Sequence, residues 1–411
     1  VQYYLFDNAR VFDGVSPVLS DPMFVLVEGN KIKEFSSRPI KADAAEHIDC
    51  RGKTLMPGMI DCHVHVYAET AAQTHPEPPF TYKAQYAQMF LRHILASGFT
   101  SVRDVAGGDH GMAMALRRRF FDGPRFYYGG LCLTQTGGHG DMRPMSQPTD
   151  YGNCGAERNS LAINADGVDE CVKATREELR KGASHIKIMA SGGLLSPSVA
   201  SLDRSQYSEA EIRAIVDECA RQGAYVCAHC HPAAAIRRCV EFGVRSIEHG
   251  TLIDDSTAVY VASKGAFVVP TMAVIVSLMQ DGAQLGLDDA SREKISSVHD
   301  YALQGLEAMK RAGVKMGFGT DLLGEQHTRR SNEFSIRAQV LTPFEILHSA
   351  TAVNAAILQM DGKLGTVSPG AFADLLVVDG DPLADINLLA TGGRYLTHIL
   401  VDGRFIKRPG L

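Results

Sequence analysis

Between Leu55 and Met360 one pattern repeats: a short apolar run, then a longer stretch with apolar residues every three or four positions. The short runs LMPGMIDCH, TSVRDV, RFYYGGLCL, HIKIMAS, AYVCAH, VRSIEH, AFVVP and KMGFGTD predict buried strands. Stretches such as SEAEIRAIVDECARQG and REKISSVHDYALQGLEAMKRAG predict amphipathic helices stopped by glycine. Eight strand–helix units of this kind predict an α/β fold, a (β/α)8 TIM-like barrel whose chemistry sits at the C-terminal strand ends. The flanks lack helical periodicity. QYYLFDNARVF, MFVLVEGNKIKEF, ADLLVVDGD and THILVDGRFIK alternate as strands do, with glycine in the turns. We expect residues 1–55 and 363–411 to join in a small discontinuous β-sandwich beside a catalytic barrel spanning 56–362. The Gly-, Pro- and Ser-rich stretch from Cys132 to Ala165 is too long for a simple connection and is expected to contribute to a lid.

The ends of the apolar runs carry the chemistry. His63, His65, Lys187, His229, His249 and Asp321 each close one of them. His63 and His65 are spaced i, i+2, so both project to one side of their strand while Cys62 and Val64 project to the other. In HIKIM the two isoleucines share a face and Lys187 takes the opposite one, toward the interior. A buried ammonium is costly, so such a lysine pairs with a carboxylate or loses its charge. Asp321 or Asp104 would serve as the partner. A neutral amine, alternatively, adds carbon dioxide to give a carbamate, an anionic bidentate ligand able to bridge two metals. Four histidines in register favour the carbamate. Neutral imidazoles suit zinc, and manganese or cobalt would also be accepted.

Composition narrows the function classes. A formal charge of −6 leaves no footprint for nucleic acid, and no apolar stretch approaches a membrane span, so a small-molecule substrate is expected. Nine scattered cysteines do not form a disulfide framework, which favours a reducing, cytoplasmic setting. The chain starts at Val1, so an export segment removed from an earlier form is left open. Cys62 and Cys230 neighbour the histidines but lie on opposite strand faces from them, and are expected to pack as small apolar residues.

PGMIDCHVH, the lysine strand, the two single-histidine strands and the GTD strand resemble the binuclear metal-dependent amidohydrolase superfamily. TSVRDVAGG, GGHGD, IKIMASGG and FGVRSIEHGT are similar to its prolidase and Xaa-Arg/Lys carboxypeptidase subgroup, near relatives of imidazolonepropionase. The resemblance implies that His63, His65 and Asp321 bind one divalent metal, His229 and His249 another, and carboxylated Lys187 bridges them. It also implies a hydroxide held between the metals, whose proton Asp321 takes and passes to the departing amine. His139, in GGHGD, is expected to hydrogen-bond the carbonyl or tetrahedral oxygen. His231 shares a face with His229 and is expected to reach the substrate carboxylate; relatives carry other polar or aromatic residues there, such as tyrosine. Arg204 is the first candidate for a guanidinium that binds that carboxylate, and His327 a further substrate contact.

The expected activity is hydrolysis of the amide before a C-terminal residue, with L-Xaa-L-Pro dipeptides first. Three alternatives remain: cleavage before C-terminal Arg, Lys or hydrophobic residues or of N-acyl amino acids; a mononuclear deaminase or imidazolonepropionase-like reaction; and a non-enzymatic scaffold. Deaminases add a glutamate soon after the fifth-strand histidine, where this chain reads CHPAAA. A homo-oligomer is expected.

Overall fold

The computed structural model describes residues 1–71, 78–143, 161–196 and 201–410. Its centre is a succession of parallel strands. Met59–Val64, Phe99–Asp104 and Arg125–Tyr128 form one three-stranded sheet. Cys132–Thr134, His185–Met189, Tyr225–Pro232, Ser246–Leu252, Phe267–Val269 and Lys315–Met316 follow one another in a second, with Ala162–Asn164 at its edge. The backbone N–H of Ser184 donates to Tyr128 O at 2.9 Å and so links the two sheets.

The segment after Lys315–Met316 keeps strand contacts on both sides without being a regular strand. Gly317 N donates to Val268 O at 2.8 Å, Cys62 N to Phe318 O at 2.9 Å and Asp321 N to His63 O at 2.9 Å. A side chain supplies bonds here that a ladder would otherwise make. The Asn354 amide donates to Ile60 O at 2.7 Å and Phe318 O at 2.8 Å, and accepts from Phe318 N at 3.0 Å. A buried primary amide can satisfy backbone groups of two segments at once, which pins them in register.

Two runs expected to be single strands are each divided at glycine. In LMPGMIDCH, Thr54–Pro57 belongs to the sheet of the termini and Met59–Val64 to the parallel strands. A Cβ at Gly58 would lie 2.0 Å from Thr100 Oγ1, so only glycine lets the chain cross between the layers there. RFYYGGLCL likewise parts into Arg125–Tyr128 and Cys132–Thr134.

The helices follow from the spacing of apolar residues. Asp289–Ala312 buries Ile295, Val298, Ala302, Leu306 and Met309 along one stripe, is capped by the Asp288 carboxylate, and stops at Gly313 in the left-handed region. Glu209–Arg221 starts at a capping box between Ser208 and Glu211. No helix among the described residues is long and apolar enough to cross a membrane.

Strands from both termini hydrogen-bond in one eight-stranded sheet, where two packed sheets were the expectation. Its order runs Arg404–Lys407, Leu396–Val401, Leu375–Val378, Thr54–Pro57, Tyr3–Val11, Pro22–Glu28, Lys31–Ser36, with Glu46–Asp49 also beside Tyr3–Val11. The sheet curls back on itself through a Lys31–Phe372 bridge. Phe6, Val25, Val27, Leu55, Leu375 and Leu400 fill its own core, apart from the larger core around the parallel strands. A single curled sheet serves the hydrophobic pattern as well as a sandwich, because either arrangement buries alternate residues.

Candidate metal centre

At the C-terminal ends of the parallel strands lies a cavity of about 220 Å³. His63, His65, Lys187, His229, His249 and Asp321 all line it, joined by His139 and His231. Two groups hold potential ligand atoms within 4.8 Å of one another: His229 with His231 and His249, and His63 with His249 and Asp321. Buried imidazoles and a carboxylate in such proximity suit divalent transition metals.

The far nitrogen of most imidazoles is engaged by the protein, which fixes the nitrogen left facing the cavity. His63 Nδ1 lies 2.7 Å from Glu248 Oε2, His249 Nδ1 2.7 Å from Thr271 Oγ1, and His231 Nδ1 2.7 Å from Thr251 Oγ1. His65 Nδ1 faces Ala106 O at 3.3 Å. His229 is turned the other way, with Nε2 3.1 Å from Gly192 O and Nδ1 left free for a ligand role. Asp321 Oδ1 stands 3.4 Å from His63 Nε2 and 3.2 Å from His65 Nε2.

Electrostatics keep most of these groups in ligand form; His65 is the exception, where burial lowers the imidazole but the Asp321 carboxylate outweighs it and raises it above the ordinary histidine range. Burial, then neighbouring histidines, pushes His229 and His249 well below the ordinary histidine range, and burial takes His231 down to about 4. They are neutral near pH 7, as metal ligation requires. Burial opposes the charge of Asp321, but His63 and His65 outweigh it and hold the carboxyl well below its usual range. Asp321 and His249 also adopt φ of +54° and +73°. Left-handed backbone costs a residue with a Cβ on the order of 1 kcal/mol, and such strain concentrates at functional sites.

Lys187 is 1% exposed. Among the described residues no carboxylate comes within ion-pairing distance of it, so neither alternative salt bridge forms. Asp104 is occupied with Val66 N at 2.7 Å and Gly108 N at 2.8 Å, and burial raises its carboxyl to about 6. Asp321 faces the histidines instead.

His139 stacks on His229 with ring centroids 4.1 Å apart. Its Nδ1 lies 2.7 Å from Ser196 Oγ, which accepts a bond from Gly193 N at 2.7 Å. A Cβ at Gly193 would lie 2.5 Å from His139 and 2.8 Å from His229, so this glycine is what allows the two rings to meet. Burial, then the charges of His231 and Lys187, takes His139 down to about 3.

Two expected substrate contacts are not at the cavity. Arg204 is exposed and outside the cavity lining. His327 is buried elsewhere, with Nδ1 2.7 Å from Gly324 O and its ring packed against Phe90 and His93. In that place it closes a turn. His231, expected at the substrate carboxylate, stands among the candidate ligands, its ring 4.9 Å from those of both His229 and His249. Half of the expected lid from Cys132 to Ala165, residues 144–160, lies outside the described residues.

Cys62 and Cys230 are fully buried, against Asn354 O and Cys239 Sγ, and neither lines the cavity. Cys132 does line it, but burial pushes its thiol up to about 12, which removes it as a nucleophile at neutral pH.

Sequence reasoning missed the charged groups beneath the site. Glu248 is fully buried, bonded on one side to His63 and on the other to Arg103 at 2.7 Å. Arg103 also donates to Cys62 O at 2.6 Å. Asp61 accepts from His63 N at 3.1 Å, Thr320 Oγ1 at 2.7 Å and Arg330 Nε at 2.9 Å. An available signal was the presence of Arg103, Asp61 and Glu248 inside apolar runs, since buried charges there need partners.

The chain matches the amidohydrolase family over residues 54–406. It is 30% identical to the ochratoxinase of Aspergillus niger over 415 aligned positions, covering 96% of this chain and 83% of that protein. A prolidase solved in complex with N-methylphosphonate-L-proline superposes with a TM-score of 0.94 at 44% identity, covering 99% of this chain and all of the other. A Xaa-Pro dipeptidase solved with methionine in its active site gives 0.88 at 28%, with the same coverage. The TIM-like barrel with an accessory domain is the shared architecture. Candidate metal ligands gathered at the strand ends and similarity along nearly the whole length lead to one conclusion: the chain belongs to the amidohydrolase family and is a hydrolase.

Proposed function

We propose that this hydrolase cleaves the amide bond before a C-terminal residue, with L-Xaa-L-Pro dipeptides as first substrates, at two divalent metals joined by a carbamate on Lys187. The observation that carries the reading is Lys187 itself: a buried amine without an ion-pair partner among the described residues, in one cavity with six histidines and Asp321. His63, His65 and Asp321 would hold one metal. His229, His249 and, by its position, His231 surround the other. Zinc is the first choice for this donor set. The metals would supply Lewis acidity and lower the pKa of water.

The chain's own residues account for the remaining steps. The Lys187 amine adds carbon dioxide and releases a proton, leaving the carbamate anion. Asp321, ionised and aimed into the cavity, takes the proton of the attacking water and gives it to the departing amine. The Ser196 hydroxyl, which already accepts from Gly193 N, donates to His139 Nδ1 and leaves Nε2–H free to bond the carbonyl oxygen as negative charge develops there. The similarity to a solved prolidase and a Xaa-Pro dipeptidase supports the choice of proline. Cleavage before a hydrophobic residue, or of an N-acyl amino acid, is the second reading, favoured by the likeness to ochratoxinase. We also read the two parallel sheets as one closed eight-stranded barrel, supported by the bonds of residues 317–321 to both neighbours.

A dipeptide panel with C-terminal Pro, Arg, Lys and Phe on metal-loaded enzyme tests the reading. Turnover of Xaa-Pro above the others is expected; turnover confined to Arg or Lys would contradict it.

A further inference from the structure

The helix Met272–Asp281 has the sequence MAVIVSLMQD and is apolar nearly all round. A helix packed on one neighbour needs one apolar stripe, so a second apolar face requires a second contact. One contact is the long helix Asp289–Ala312, through Leu278, Ile295 and Val298. Its first turn also meets the short helix Asn332–Arg337, and a further face borders the cavity, where Val274, Ile275 and Leu278 form part of the wall. Leu194 and Leu195, which follow the Lys187 strand, share an apolar cluster with this helix and also line the cavity. Every ionisable side chain among the described lining residues belongs to the metal centre and its immediate histidines, apart from the protonated thiol of Cys132. Among the described residues the remaining wall offers no charge.

This wall is held in place. Glu333, fully buried, accepts from Ala273 N at 2.6 Å and Met272 N at 3.4 Å, at the first turn of the helix where a carboxylate is favoured. Arg337 Nε donates to Glu333 at 2.6 Å and its other nitrogens reach Gly317 O and Pro270 O. The apolar face is therefore fixed relative to the strand that carries Asp321.

We propose that this wall is the specificity pocket for the acyl residue of the substrate and selects a large apolar side chain. The inference rests on the amide-hydrolase reading and deepens it. The departing residue carries a carboxylate, which needs donors this wall does not have, so the wall faces the acyl side. An Asp or Lys side chain there would lose its hydration without gaining a partner. A branched aliphatic chain gains about fourfold per methylene buried.

The test compares kcat/KM for Ala-Pro, Leu-Pro, Asp-Pro and Lys-Pro on metal-loaded enzyme and on Leu278→Ala and Leu195→Ala. Leu-Pro is expected to exceed Ala-Pro by about tenfold or more, and the charged dipeptides to fall below Ala-Pro by a similar factor. In both variants the Leu-Pro to Ala-Pro ratio shrinks several-fold. Because the readout is a ratio, partial unfolding of the Leu278 variant does not mimic it, and Leu195 is half-buried in a loop. Equal rates for Leu-Pro and Asp-Pro, or a ratio unchanged in both variants, would overturn the pocket. Failure to cleave any Xaa-Pro dipeptide would overturn the amide-hydrolase reading instead.

Discussion

The two halves of the candidate metal centre are supported in different ways. On one side, His63 leans on Glu248, which is paired with buried Arg103, and its strand is tied through Asp61 to Arg330. On the other, His231 and His249 lean on the hydroxyls of Thr251 and Thr271, and His229 on the carbonyl of Gly192. In the first half His63 stands on buried charge while His65 faces the Ala106 carbonyl; the other half stands on neutral dipoles throughout. A carboxylate behind an imidazole makes it a stronger ligand than a hydroxyl does, and a buried ion pair cannot be half removed without large cost. The first half should therefore bind metal more tightly and depend on its support more steeply. Glu248 sits next to His249 in sequence but serves His63, so the charged support also ties the sixth strand to the first.

Removing the group proposed to join the halves should have the largest effect. Lys187→Ala is expected to lower metal content on both sides and reduce hydrolysis by at least about a thousandfold; full activity would end the carbamate proposal. Asp321→Asn should keep the fold while kcat falls by at least about a hundredfold, and an unchanged kcat would exclude Asp321 as proton carrier.

The supports themselves break the comparison open. Glu248→Ala leaves Arg103 buried without its partner and should cost about 3–5 kcal/mol in urea unfolding, with loss of the tighter metal in titrations. Thr271→Val should cost only about 1 kcal/mol and weaken the other metal modestly. Equal costs for the two substitutions would remove the asymmetry. The smallest effect belongs to Arg204→Ala, which should leave kcat/KM within about twofold because the side chain is exposed and away from the cavity.

What was legible in the sequence followed from period. Strand ends are visible because apolar runs stop, and a histidine, lysine or aspartate at the stop stands out, so the convergence of His63, His65, Lys187, His229, His249 and Asp321 on one cavity could be read. Arg103 and Glu248, 145 positions apart, gave no local sign of their pairing. Asn354, almost 300 residues from Ile60, gave none either. His231 stands beside the other imidazoles because Ser246–Leu252 continues past His249 and Thr251 bonds its ring, a long-range contact that the local pattern does not encode. Arg204 and His327 were chosen by chemistry alone, without a periodic pattern to fix their direction, and neither lines the cavity. The curled terminal sheet differs from a sandwich only in how strands connect, which alternation does not encode.

The most direct test of the account is an electron-density map of crystals grown with zinc and bicarbonate. The account predicts density extending from Lys187 Nζ as a carbamate between two metal peaks, one beside His63, His65 and Asp321 and the other beside His229 and His249. An unmodified Lys187 with no metal at either position would contradict it.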